Sequence, residues 1–150
     1  MTVGGSSGFS VGGSPGTLFF TGNLILGPGI TLTYELNTPN IVGGNVNDLT
    51  DVTGDLTLDG ILDVLALPNF GIGTYRLFNS TGTLTDNTLN LGSVPAGYTC
   101  AISTATANQV NLIVSTICHS FIFNHDEKMR PVARGRTCLS ERGPDRRRGW

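Results

Sequence analysis

A short sequence unit recurs along the first half of the chain at a spacing of about 30 residues. Residues 21–27 read Thr-Gly-Asn-Leu-Ile-Leu-Gly, and residues 53–59 read Thr-Gly-Asp-Leu-Thr-Leu-Asp, 32 positions later. A weaker third copy begins at Thr81, 28 positions beyond the second. Such a repeat indicates stacked units, because one unit alone cannot bury its apolar side. We therefore expect a β-solenoid with roughly four or five coils of about 20–25 residues each.

The residues in and around these units alternate between apolar and polar in the manner of β-strands. Residues 55–59 place leucines between Asp, Thr and Asp, and residues 31–36 alternate Thr or Glu with Leu32, Tyr34 and Leu36. A period of two puts the apolar side chains on one face of a sheet. The usual helix formers of exposed surfaces are scarce, since the first 115 residues contain no Lys, one Glu and one Arg. These features predict an all-β chain whose sheets have one solvated face.

The same alternation assigns candidate structural residues. Apolar positions of the predicted strands form a core ladder, and glycines between them form turns. In the pair Asp59-Gly60, the glycine is expected to end one strand and reset the alternation for the next. The predicted core comprises Leu24, Leu26, Leu32, Leu56, Leu58, Leu62 and Val64, and the predicted turns contain Gly22, Gly54 and Gly60.

The distribution of charge divides the chain into segments. Residues 1–115 carry seven acids and one base, whereas residues 116–150 carry eight bases and four acids. We predict a Gly/Ser-rich N-terminal segment of little packing value at 1–16, a solenoid at 17–115 and a basic tail at 116–150. The tail lacks the alternation, and we expect it to be mostly unstructured. The longest apolar stretch, 110–123, is shorter than the roughly 20 residues of a spanning helix, and the N-terminus lacks signal-peptide features.

The order of the motifs resembles the strand-repeat region of bacterial autotransporter passenger domains. The resemblance runs through roughly residues 12–115, and no single motif in it is as specific as the ordered series. It is carried by Ser14-Pro15-Gly16-Thr17-Leu18, the unit at 21–29, Tyr34-Glu35-Leu36, Gly43–Asp48, Val52–Gly60, Gly71–Phe78, Leu91–Tyr98 and Asn108–Val114.

This resemblance implies a right-handed parallel β-helix that type V secretion displays at the cell surface or outer membrane, or releases. The implied role is that of a stalk or adhesin, with host-surface or matrix molecules as ligands. Full-length relatives would carry an N-terminal signal and a C-terminal outer-membrane β-barrel. This sequence shows neither, so we interpret it as a truncated family member whose basic tail is a candidate frameshift product.

The interpretation is a non-catalytic structural or adhesive segment, with no enzymatic activity, cofactor or metal. Two alternatives remain open. A carbohydrate-binding or carbohydrate-degrading β-helix would need an exposed aromatic or a pair of acids along one face. A nonfunctional remnant would expose unpaired strands at its end coils and aggregate.

The aspartates along the solenoid raise the question of calcium binding. A calcium-binding β-roll uses tandem Gly-Gly-x-Gly-x-Asp units, but the segment Gly43–Asp48 has Val46 in place of the third glycine and occurs once. We therefore favour solvated turn aspartates. The residues concerned are Asp48, Asp51, Asp55, Asp59 and Asp63.

Other reactive residues do not form a recognisable site. No His precedes His119, which argues against serine hydrolysis, and Gly71-Ile72-Gly73 is not a nucleotide loop. Cys100 is expected to be a buried hydrophobe. The spacing of Cys118, His119, His125 and Cys138 does not fit a zinc module. No specific nucleic-acid binding is expected of Arg142, Arg146, Arg147 and Arg148, and the acceptor sequence Asn79-Ser80-Thr81 receives little weight.

Overall fold

The computed structural model describes residues 1–11 and 15–117, and within these residues the chain consists of strands and loops without a helix. The all-β prediction is therefore confirmed. The strands are β1 (Thr2–Val3), β2 (Gly8–Ser10), β3 (Thr17–Thr21), β4 (Leu24–Leu26), β5 (Thr31–Leu36), β6 (Leu49–Thr53), β7 (Leu56–Ala66), β8 (Gly73–Ser80), β9 (Leu84–Leu91), β10 (Tyr98–Ser103) and β11 (Gln109–Thr116).

Some sequence-based predictions fall on residues beyond this part of the chain. From residue 118 onward the predicted tail lies outside the described residues. The same holds for the zinc candidates Cys118, His119, His125 and Cys138, and for Arg142, Arg146, Arg147 and Arg148. In the part that the structure describes, no helix has the length and apolar character to cross a membrane.

The first sheet contains only parallel strand pairs. β7 lies at its centre, with β4 and β5 following one another along one side and β9 along the other. β1 and β2 extend the sheet beyond β4 and β5. The repeated units stack in register, since Leu24 pairs with Leu56 and Leu56 pairs with Leu84. Successive sequence repeats are thus neighbouring strands of one sheet.

The second sheet is mixed. β3, β6 and β8 pair in parallel, whereas β11 and β10 follow β8 in antiparallel order. The sequence interpretation extended the parallel coils to residue 115, and for the last two strands it is wrong. The physical reason is the short connection at 104–108, because a parallel crossover needs a dozen or more residues. Asn108, at a φ of 61°, completes the tight turn.

The spacing of the coils and the role of the N-terminal segment also differ from expectation. Hydrogen bonds between successive coils join Asp55 to Asn23 and Thr83 to Asp55, which lie 32 and 28 positions apart. The coils are therefore longer than the expected 20–25 residues, because long loops such as 37–48 connect the strands. The segment 1–16 supplies β1 and β2. Backbone pairing needs no side chains, and the Ile25 N–H donates to the Met1 carbonyl at 2.9 Å. Gly/Ser composition therefore did not prevent this segment from packing.

One apolar core connects the two sheets. Tyr34 of the first sheet shares a 2.7 Å hydrogen bond with the hydroxyl of Thr50 in the second, and its ring lies 5.4 Å from that of Phe78. Burial raises the pKa of the Tyr34 hydroxyl, which stays protonated. All seven residues of the core ladder predicted from the sequence lie in this apolar core, and none is more than 7% exposed.

Gly60 lies within β7 and does not end a strand, which corrects the turn predicted at Asp59-Gly60. The alternation continues through the glycine, since Leu58, Gly60 and Leu62 are all buried. Gly60 has a φ of +96°, and a Cβ there would lie 2.5 Å from the carbonyl oxygen of Ile30. Glycine is required because the loop before β5 packs against this backbone. Gly22 and Gly54, in contrast, lie at bends between strands.

Candidate functional site

The Thr-Gly units of the repeat form a stacked polar corner between the sheets. The side-chain oxygen of Asn23 accepts the Asp55 N–H at 2.9 Å, and the Asn23 amide donates to the Asp55 carboxylate at 3.2 Å. In the next coil, the Thr83 N–H donates to Asp55 at 2.8 Å. Each corner side chain therefore binds the backbone of the following coil, which explains why Asn or Asp follows glycine in the first two units.

The glycines of this corner allow the coils to approach closely. A Cβ on Gly54 would lie 2.6 Å from the backbone of Gly22, and one on Gly82 would lie 2.4 Å from the Asp55 carboxylate. The Gly82 N–H donates to the Gly54 carbonyl at 2.8 Å. Any larger residue at Gly54 or Gly82 would push neighbouring coils apart.

Two polar side chains are buried where the loop 37–48 meets the strands. Asn47 accepts the N–H groups of Asn37 and Thr38 at 2.6 and 3.1 Å, and its amide donates to two loop carbonyls at 2.7 Å. Asp48 accepts the N–H of Gly16 and that of Glu35, both at 2.7 Å. Together they satisfy backbone groups that the long loop would otherwise leave buried and unpaired.

Asp48 is therefore not a solvated turn residue, which corrects the expectation for this member of the aspartate series. Its side chain is fully buried. Burial raises the pKa of the Asp48 carboxyl, the two backbone N–H donors oppose that rise, and the nearby Glu35 carboxylate adds to it. The sequence did not indicate this, because the donors lie 32 and 13 residues away.

The remaining aspartates of the series are exposed or half-buried. Asp59 accepts the N–H of Gly60 at 2.7 Å, and Asp63 accepts that of Ser93 at 2.6 Å. Across residues 1–11 and 15–117, no three His, Cys, Asp or Glu side chains converge as a metal ion would require. The carboxylates of Asp55, Asp59 and Asp63 act as acceptors for backbone N–H groups.

Arg76 contacts neighbouring amides on the outer face of the second sheet. Its Nε donates to Asn111 at 2.8 Å, and another guanidinium nitrogen donates to Asn79 at 2.7 Å. The glycosylation acceptor Asn79 thus lies within β8, with its side chain engaged and the following Ser80 buried. This arrangement places Asn79 in a sheet and not in the exposed loop that modification requires.

The glycine-containing loop at 71–73 is held by aromatic side chains. The Gly71 N–H donates to the Tyr75 hydroxyl at 2.9 Å, and the Tyr75 ring stacks on Phe70 with centroids 5.1 Å apart. Tyr98 packs edge-on against Phe70. Cys100, in β10, is half-buried and packs against the core, and burial raises the pKa of its thiol.

The outer faces also present apolar side chains. Phe19 is the most exposed aromatic of the described residues, at 72%, and pairs in register with Asp51, which in turn pairs with Asn79. On the first sheet, Ile25, Ile61 and Leu65 are 41–49% exposed. These residues form separate positions on otherwise polar faces rather than a cleft.

Comparison with known proteins identifies a relative of part of the chain. Over 100 residues the sequence is 50% identical to the protein named "Adhesin BmaC autotransporter" of Brucella suis biovar 1 (strain 1330). The match covers 65% of this chain and 3% of the relative. No protein-family model matches the sequence, and no solved structure matches it. The relative confirms the resemblance to an autotransporter passenger that the sequence motifs indicated.

Proposed function

We propose that this chain, which is similar over 65% of its length to an autotransporter adhesin, is a non-catalytic structural and adhesive segment of a passenger. The observation that carries this proposal is the register of the repeats, in which Leu24, Leu56 and Leu84 pair strand to strand. Stacked repeats of this kind build extended, rigid surfaces. Display at the cell surface or outer membrane belongs to the same proposal.

The proposal includes a right-handed parallel β-helix as the architecture of the coils. Parallel pairing at the repeat spacing in both sheets supports it, as do the stacked corners at Asn23, Asp55 and Thr83. The antiparallel hairpin of β10 and β11 would then close the second sheet at one end of the coils.

The mechanism of such a segment is mechanical. Backbone hydrogen bonds join each coil to the next, and inward Leu and Val side chains exclude water from the core. Outward Thr, Asn and Asp side chains present a polar face to host-surface or matrix molecules. Binding would therefore depend on the folded coils and not on a reactive group.

The experiment measures adhesion of the purified full chain, coupled to beads, to immobilised matrix proteins and to polysaccharides. We expect saturable binding by the native chain and its loss in Leu58→Asp, which places a charge in the core. Leu65→Asp, which makes the same substitution at an exposed position of β7, is the matched control and should bind. Binding that survives in Leu58→Asp, or no saturable binding by the native chain, contradicts the adhesive role.

The same samples separate the alternatives. Release of reducing ends from a polysaccharide would favour a degrading enzyme over a non-catalytic segment. Limited proteolysis tests the structural role, since stacked coils should resist cleavage across residues 17–117. Complete digestion, together with a coil spectrum in far-UV circular dichroism, would favour the nonfunctional remnant.

A further inference from the structure

A row of outward-facing side chains crosses the second sheet from β3 to β11. Phe19 pairs in register with Asp51, Asp51 with Asn79, and Asn79 with Gln109. All four lie on the outer face, because apolar residues beside them along the strands pack in the core. Neighbouring strands are about 4.8 Å apart, so the row is about 14 Å long. We call it the cross-strand row.

A β-bulge brings a cation to this row. The register between β8 and β11 shifts, and two successive residues of β8, Leu77 and Phe78, are both buried. Arg76 and Asn79 therefore both face outward although they lie three positions apart. The guanidinium of Arg76 donates to Asn79 at 2.7 Å and to Asn111 at 2.8 Å. Bulges often re-aim a side chain in this way, and many of them lie next to functional sites.

The cross-strand row presents hydrogen-bond donors and acceptors side by side. Asn79 accepts from Arg76 through its carbonyl oxygen, which leaves its NH2 group as a donor. In the part of the chain that the structure describes, no side-chain hydrogen bond involves the Asp51 carboxylate or the Gln109 amide. A carboxylate only accepts, a guanidinium only donates, and an amide does both. A ligand that matches the row needs closely spaced groups that each donate and accept.

These features favour a neutral ligand with many hydroxyl groups. Each hydroxyl both donates and accepts, so successive hydroxyls of a sugar chain can meet an acceptor on one strand and a donor on the next. Asp51 and Arg76 carry opposite charges, which leaves the row without net charge. The seven acids and one base of residues 1–115 disfavour a polyanion. Phe19, which is 72% exposed, offers a ring face to the apolar C–H side of a sugar.

Other classes of partner match the row less well. An extended peptide is bound mainly through the backbone of an edge strand. Three strands of the row, β6, β8 and β11, pair on both sides and have no open edge. A lipid surface needs a broad apolar face, and Phe19 is the one apolar side chain of the row.

We propose that the cross-strand row, together with Arg76, binds a neutral oligosaccharide that lies across the strands. One sugar ring stacks on Phe19, and hydroxyls of the following units bind Asp51, Asn79 and Gln109. The length of the row, about 14 Å, accommodates several sugar units rather than one. This inference rests on the proposed adhesive role and names the class of its ligand.

The test measures binding of the full chain to immobilised oligosaccharides. The neutral probes are oligomers of glucose, galactose, mannose and N-acetylglucosamine, and the acidic probes are heparin and hyaluronan. The native chain should bind at least one neutral series saturably, with an affinity that rises from the single sugar to the trisaccharide. It should not prefer the acidic probes.

Substitutions in the row separate its contribution from that of other exposed residues. Phe19→Leu, which removes the ring but keeps an apolar side chain, and Gln109→Ala should each raise the Kd for that probe at least about threefold. Ile25→Ala and Asn90→Ala are the matched controls, because they remove an exposed apolar side chain and an exposed amide from the first sheet. Both should bind as the native chain. Far-UV circular dichroism checks that each variant keeps its fold.

Several outcomes overturn the glycan site. They are a native chain that binds no neutral oligosaccharide, a preference for heparin or hyaluronan, or controls that lose as much affinity as the variants in the row. Binding to matrix proteins that persists after enzymatic removal of their glycans and in Phe19→Leu would also overturn it, while supporting the adhesive role. Absence of binding to every probe and matrix protein would contradict both proposals.

Discussion

A buried carboxylate that accepts two backbone N–H groups holds the longest loop of the described chain to its strands. Asp48 accepts the N–H of Gly16 on one side and that of Glu35 on the other. The sequence suggested only a polar turn at this position. Its burial depends on the fold of the loop 37–48 and on two distant backbone donors, and neither leaves a local pattern in the sequence.

Asp48→Asn should lower the free energy of unfolding by about 1–3 kcal/mol. An asparagine has one acceptor oxygen, so its amide NH2 would face the second backbone donor. Asp55→Asn is the matched control, because Asn23 already fills the equivalent corner in the preceding coil. The control should change stability by less than about 0.5 kcal/mol in urea unfolding. Equal losses in the two variants would contradict the special role of Asp48.

The raised pKa of Asp48 predicts a specific dependence of stability on pH. A folded-state pKa above the unfolded value, which is about 3.9, means that the folded chain binds the proton more tightly. The contribution of this group is therefore fully present below that value and is lost as pH rises through the folded-state pKa. We would measure the unfolding free energies of the native chain and of Asp48→Asn from pH 3 to 8. The free energy of the native chain relative to the variant should fall as pH rises. A slope of opposite sign would contradict the prediction.

At the scale of strands, alternation predicted most elements but not where they end. Leu32, Tyr34 and Leu36 are buried as the period of two requires, and the repeat at 21–27 and 53–59 marks paired strands. The sequence did not predict that Gly60 lies inside a strand or that β10 and β11 form an antiparallel hairpin. Both depend on neighbouring elements, namely the loop that packs on Gly60 and the short connection at 104–108, and glycine within a strand looks the same in sequence as glycine in a turn.

Gly60→Ala should destabilise the chain more than Gly97→Ala. Both glycines have positive φ, +96° and +89°, so both substitutions carry the conformational cost of about 1–2 kcal/mol. Only at Gly60 does the added Cβ meet a neighbour, 2.5 Å from the Ile30 carbonyl oxygen, whereas nothing lies within 4 Å at Gly97. Thermal unfolding of the two variants measures the difference. A midpoint for Gly60→Ala at or above that of Gly97→Ala would show that the backbone at Ile30 moves aside without cost.

At the scale of the whole described unit, stability should behave as a sum of coils and the contacts between them. β7 pairs on both of its edges, so a change in its core face reaches every neighbouring coil. Leu58→Asp buries an unpaired charge at a fully buried position and should cost more than about 4 kcal/mol, enough to unfold the whole unit.

Phe9→Asp tests the opposite limit, because β2 lies at one end of the first sheet and pairs with β5 alone among the described strands. Phe9 is half-buried, and its main aromatic contact is Phe20. We expect hydrogen–deuterium exchange by mass spectrometry to show lost protection at β1 and β2 only, with β6 to β11 unchanged. In Leu58→Asp, protection should fall in all strands together. If Leu58→Asp instead exposed β7 alone, or if Phe9→Asp unfolded every strand, the coils would not be coupled through their shared central strand.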